Sequence, residues 1–152
     1  MDAHTIQHNA FTGLNTREKT YLIRFIKSNL RGTDDNSICE AIDFAIKNRP
    51  SFGGFILSSR RGDEIIAALV AHCTGMESCN ASHNLVYAVR KKNDPMAETA
   101  MNNLLKTAVR QTKGQLSLRL EQSSDTLSFF KAFGFKPRYI ELTLDQNRPM
   151  AS

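Results

Sequence analysis

The stretch His83-Asn84-Leu85-Val86-Tyr87-Ala88-Val89-Arg90-Lys91-Lys92-Asn93-Asp94-Pro95-Met96-Ala97 changes its period halfway along. Its first part, His83 to Lys91, is apolar on both faces through Leu85, Val86, Tyr87, Ala88 and Val89, as expected of a strand lying central in a sheet. Asn93-Asp94-Pro95 then breaks the strand and opens the best helix of the chain. Asp94 is the cap candidate and Pro95 suits the first helical position. Ala97, Ala100, Met101, Leu104, Leu105 and Ala108 share one face, and Lys113-Gly114 closes the helix. A strand that runs into a helix N-terminus is a phosphate-binding geometry, because unpaired first-turn N–H groups and the positive end of the helix dipole converge on one point. Arg90, Lys91 and Lys92 stand immediately before that point.

On the C-terminal side, Leu116, Leu118 and Leu120 alternate with Ser117, Arg119 and Glu121, which predicts a strand parallel to the first. Ser124-Asp125 opens a short helix carrying Leu127, Phe130 and Phe133, closed by Gly134; Ile140, Leu142 and Leu144 then alternate in a last strand. On the N-terminal side, Phe52 to Ser59 and Glu64 to Cys73 form a hairpin about Arg60-Arg61-Gly62-Asp63. Two helices precede it. The first starts at Asn15, with Glu18 as its capping partner, and carries Leu22, Phe25, Ile26 and Leu30. The second follows Asp34-Asp35-Asn36-Ser37, carries Ile38, Ala41, Ile42, Ala45 and Ile46, and stops at Arg49-Pro50. A short strand is expected near His4 to Gln7. The expected class is α+β: a mixed sheet made of an antiparallel meander and one βαβ crossover, with helices on both faces.

The chain has 152 residues, 41% hydrophobic and 23% charged, without repeats or a Gly/Ser-rich linker. These figures suit one domain spanning 1–152, large enough to build a core without metal or disulfide staples. No apolar run reaches the roughly 20 residues that cross a bilayer, and the N-terminus lacks a signal-peptide pattern. The expectation is a cytoplasmic protein that makes no membrane contact and keeps Cys39, Cys73 and Cys79 reduced. No metal site is expected, since Cys73 and Cys79 with His72 and His83 match no familiar ligand spacing. Twenty Lys and Arg against fifteen Asp and Glu give a formal charge of +5, which favours anionic partners without choosing among them.

The order of elements resembles the GNAT superfamily of acyl-CoA-dependent N-acetyltransferases over almost the whole chain. Ser123 to Phe135, Ser-Ser-Asp-Thr-Leu-Ser-Phe-Phe-Lys-Ala-Phe-Gly-Phe, is similar to that family's late segment, with Phe129-Phe130 at its Leu-Tyr pair and Gly134-Phe135 at its ending. Counting back from Leu104, Leu105 and Ala108 sets Lys92-Asn93-Asp94-Pro95-Met96-Ala97 on the family's pyrophosphate loop. Only the cation and the final small residue match there: Pro95 stands where the loop has glycine, bringing a ring and removing an amide donor. Asp94 brings a carboxylate to a place meant for phosphates.

The resemblance implies an N-acetyltransferase in which a substrate amine attacks the thioester of acetyl-CoA, or of another acyl-CoA, directly. Amides around Tyr87, Ala88 and Val89 would meet the oxyanion and the pantetheine arm, while Lys91, Lys92, Asn93, Asp94, Met96 and Ala97 would lie along the diphosphate, with Ser123 and Phe130 against the cofactor. His83 and Glu141 are the candidate bases. Phe130 has no proton for the departing thiolate, and Tyr139 and Ser124 are the nearest substitutes in the family layout. Read as ordinary structure, Arg90 to Lys92 is a solvated strand end, His83 and His72 are packed or surface histidines, and the phenylalanines of 129–135 are core. Two other functions fit the same residues. One is a GNAT scaffold of weakened catalysis that serves as a CoA-binding or interaction module; the other is a basic nucleic-acid-binding domain. A homodimer through the last strands is a further expectation, and the acceptor amine is left open.

Overall fold

The computed structural model describes residues 3–49, 51–75, 82–113, 115–120 and 126–144. Residues 1–121 and 122–152 form two compact units. The first holds β1 (His4–His8), α1 (Thr16–Asn29), α2 (Asp35–Ile46), β2 (Gly54–Arg61), β3 (Glu64–Cys73), β4 (His83–Arg90), α3 (Ala97–Gln111) and β5 (Leu116–Leu118). The strands lie in the order β1-β2-β3-β4-β5. The first three pairings are antiparallel, and β4–β5 is parallel across the crossover made by α3.

Short polar side chains start the first two helices. Asn15 Oδ1 accepts from the Glu18 amide at 2.8 Å, and Asp34 Oδ1 accepts from the Ser37 amide at 2.7 Å. The expected reciprocal contact from Glu18 back to Asn15 does not form, because the Glu18 carboxylate pairs with Arg60 on β2. Gly62, at φ 64°, makes the tight hairpin turn between β2 and β3.

The apolar stripes of α1 and α2, Leu22, Phe25, Ile26, Ile38, Ala41, Ile42 and Ala45, close over Ile56, Ile65, Ala68, Val70 and Val89. The stripe of α3 belongs to a different set, Ala97, Ala100, Met101, Leu104, Leu105 and Ala108, and covers the opposite face of β2, β3 and β4. The sheet therefore carries helices on both faces. Its buried middle is β3, whose residues Ile65 to Ala71 are all buried. β4, read as central from its apolar run, is flanked by β3 and β5, next to last among the described strands, and its Val86 is exposed.

Within the second unit, α4 (Leu127–Phe133) ends at Gly134, whose φ of 132° suits glycine and whose amide donates to Phe130 and Lys131. Phe130 is buried, with Phe129 and Phe135 at its edges. The expected last strand is absent: residues 135–144 pair with no strand among the described residues, and Ile140, Leu142 and Leu144 are exposed. Alternation marks a strand only when one face is buried and one edge paired, and here neither holds. Ser123 and Ser124 lie outside the described residues.

Candidate functional site

The site expected from the sequence begins on β4, and two irregularities shape that strand. Tyr87 to Arg90 pair with Val70 to Ala67, but His83 to Leu85 pair with Cys73 to Ala71, so Val86 is an extra residue, a β-bulge. The bulge reverses the phase of the strand. Leu85 opposes Ala71, whereas Tyr87 and Val89 face the core under α1 and α2. On its other edge, β4 pairs with β5 only at His83–Leu116, Asn84–Ser117 and Leu85–Leu118. From Val86 onward no strand continues that edge among the described residues, so the bulge and the open edge coincide. An extended ligand bearing amides, such as a pantetheine arm, can complete a ladder of this kind.

The burial of Tyr87 and the nearby Asp34 carboxylate push its phenol above the ordinary tyrosine value, which keeps it protonated at neutral pH. Arg90 pairs with Glu98 at 3.2 Å on the first turn of α3. Lys91 pairs with Glu64 and stands 3.9 Å from Asp94, and its amide donates to the Ile66 carbonyl. The Lys92 amide donates to Asn29 Oδ1 at the end of α1. Among the described residues no carboxylate pairs with the Lys92 ammonium. With Tyr21, Arg24, Phe25, Asn29 and Ile65, Lys92 lines a cleft of about 430 Å³ between α1 and the β2–β3 turn.

Asn93 takes a left-handed conformation at φ 59°, which turns Asp94 inward. One Asp94 oxygen accepts from the Met96 amide at 3.0 Å, and the Asp94 carbonyl accepts from the Ala97 amide at 3.1 Å. Asp94 therefore does not cap α3, whose N-cap position is Met96 without a side-chain bond; it closes instead a tight turn through Pro95 and Met96 just ahead of the helix, so Pro95 is not the first helical residue. Both oxygens also face the Arg61 guanidinium, at 2.7 and 3.3 Å, and only 6% of the side chain is exposed. Arg61, then the Met96 amide, holds the Asp94 carboxyl below the usual carboxylate range; Lys91 and Arg61 do the same for Glu64.

Arg61 and Glu64 were not legible as site residues. They flank the hairpin turn, and Arg61 stands 33 residues before the Asp94 it holds.

Of the two candidate bases, His83 belongs to the first unit and Glu141 to the second. His83 sits at the far end of β4, four residues before Tyr87 and about 13 Å away at the usual rise of ~3.3 Å per residue. Its Nδ1 lies 2.9 Å from Ser82 Oγ, its ring lies tilted beside Phe55, and burial holds its pKa below the ordinary histidine value. Neutral imidazole at pH 7 can accept a proton. Glu141 is an exposed residue of the second unit. Tyr139 is exposed in the same segment.

A bulged strand with an open edge, followed by a crossover helix to a short parallel strand, is the architecture of the GNAT acetyltransferases, and the chain has that fold. It superimposes on a GNAT-family acetyltransferase of Streptococcus pneumoniae with a TM-score of 0.67 at 12% identity, covering 95% of this chain and 98% of that one. A ribosomal-protein-alanine N-acetyltransferase of Brucella melitensis gives 0.61 at 8% identity, covering 94% and 98%. An aminoglycoside acetyltransferase from an uncultured soil metagenomic sample, solved with sisomicin, gives 0.59 at 8% identity, covering 94% and 97%. No protein-family model and no curated protein matches the sequence.

Proposed function

We propose that the chain transfers an acyl group from a pantetheine thioester, acetyl-CoA or another acyl-CoA, to an amine. The observation that carries this reading is the edge of β4 from Val86 onward, bulged and without a strand neighbour among the described residues. A pantetheine arm running beside Tyr87, Ala88 and Val89 would satisfy that edge, and a β4 amide would donate to the oxyanion developing on the thioester carbonyl. Backbone donors of this kind act in a site from which water is excluded. The amine nitrogen bonds to the carbonyl carbon, the carbon–sulfur bond breaks, and sulfur leaves with the electron pair and takes a proton. The proton lost by the amine goes to a base, His83 or Glu141 on the sequence expectation. Phe130 has none to give, so water would protonate the thiolate.

Thermal unfolding with acetyl-CoA tests the donor: at 100 times its Kd the ligand should add about 2.7 kcal/mol of stability. Release of free thiol tests turnover, with an aminoglycoside, an alanine-initiated peptide and a polyamine as acceptors. The first two are chosen because structural neighbours act on such amines. Absence of any thermal shift would end the donor reading.

Asp94 in the turn before the helix and Phe130 in the tyrosine position favour a second reading, a scaffold that binds the thioester without efficient turnover. A thermal shift without thiol release, across all three acceptors, selects it.

A further inference from the structure

Coenzyme A offers this chain two different things, a neutral pantetheine arm and a nucleotide end carrying a diphosphate, and the loop after β4 treats them differently. We infer that the Asp94 carboxylate occupies the anion seat of this loop as a permanent resident, so that the donor is recognised through its acyl-pantetheine arm and not through its diphosphate. This inference rests on the acyl-transfer reading above.

Three donor positions of the loop are already closed. Pro95 has no N–H, the Met96 amide donates to the Asp94 side chain, and the Ala97 amide donates to the Asp94 carbonyl. Two of the nearby cations are engaged as well. Arg61 grips Asp94 through both of its terminal nitrogens and also reaches Glu64 at 3.2 Å, while Lys91 pairs with Glu64 and approaches Asp94. Two cations and two carboxylates thus form a closed, electrically neutral set. A diphosphate entering here would bring two negative charges against a nearly buried third, and the Met96 and Ala97 amides would not be free to offset the repulsion.

Titration calorimetry on the full chain separates the two ends of the donor. Acetyl-CoA and S-acetylpantetheine are compared on the wild type, Asp94→Asn and Asp94→Gly. Asn keeps an acceptor for the Met96 amide and so guards against a loss of fold in the glycine variant. The expected result is that the wild type binds the two ligands with affinities differing by less than about tenfold. Removing the carboxylate leaves Arg61 and Lys91 with Glu64 alone between them, and so with one positive charge to spare for phosphate. Affinity for acetyl-CoA should then rise about tenfold or more in at least one folded variant, while that for S-acetylpantetheine is unchanged. A wild type that prefers acetyl-CoA by tenfold or more overturns the inference, and so does an unchanged acetyl-CoA affinity in both variants. Binding of neither ligand to any of the three proteins is a different failure: it removes the acyl-transfer reading, and this inference with it.

Discussion

Arg60 is a charge inside the core, 5% exposed, held by Glu18 of α1 and by Ser58 Oγ at 3.4 Å. Truncating one partner of such a pair leaves the other uncompensated, which costs about 3–5 kcal/mol. Glu18→Ala strands Arg60 at 5% exposure and should fall within that range, whereas Arg60→Met strands only Glu18, which at 27% exposure can be rehydrated, and should cost less. Urea unfolding of both variants checks the asymmetry, and equal losses would refute it. His72 gives the stability a pH dependence. Burial holds its imidazole below the ordinary value, against the opposing pull of the Ala41 carbonyl 2.8 Å from Nε2, and its ring lies against Phe44. The unfolded chain therefore protonates first as pH falls. The contribution of His72 is complete above pH of about 6.5 and is lost on descending through the lower folded value. Burial shifts His83 in the same direction. Unfolding at pH 7.5 and 5.5 should show the wild type losing more stability than His72→Phe; parallel losses would remove His72 from the account. Spacing alone brought out the Asn15–Glu18 pair, yet only half of it acts as a cap. The sequence neighbourhood of Glu18 contains no sign of a guanidinium forty-two residues away.

Capping and close approach set the strength of individual elements. Asn15→Ala removes the oxygen that meets the Glu18 amide and should cost about 1 kcal/mol, measurable as a lowered unfolding midpoint. Gly53 matters more. A Cβ there would lie 1.6 Å from the Phe44 carbonyl oxygen at the end of α2, and the Gly53 amide donates to the Lys47 carbonyl. Gly53→Ala must push α2 off the sheet, and a loss of about 2 kcal/mol or more is expected; a smaller loss would mean that the α2 end moves freely. Periods of 3.6 and 2 were strong enough in α1, α2, α3, β2 and β3 to locate those elements to within a turn. They misled at Ile140, Leu142 and Leu144, where alternation has neither a core nor a strand to answer it. The bulge left no trace in the sequence, since Val86 continues an apolar run without a change of residue type. Asp94-Pro95 was legible as a helix start. Its grip by Arg61 was not, because that contact exists only once the hairpin has folded back over the loop.

Across the molecule, the formal charge of +5 is less available than it looks. Lys19, Lys27, Arg60, Arg61, Arg90 and Lys91 all stand against carboxylates, several of them around the very loop expected to attract anions. The long crossover through α3 was foreseen because a strand, a helix and a second strand in sequence have few ways to join one sheet. Where the crossover's two strands part company was not, because that depends on β5 ending after three residues. One spare valine makes the parting useful. Leu85 and Tyr87 already point to opposite sides, so excising Val86 would leave each under its own helices while letting the strand run straight. The shortened protein should melt no earlier than its parent yet fail to warm on addition of acetyl-CoA, a tidier sheet that has lost its socket.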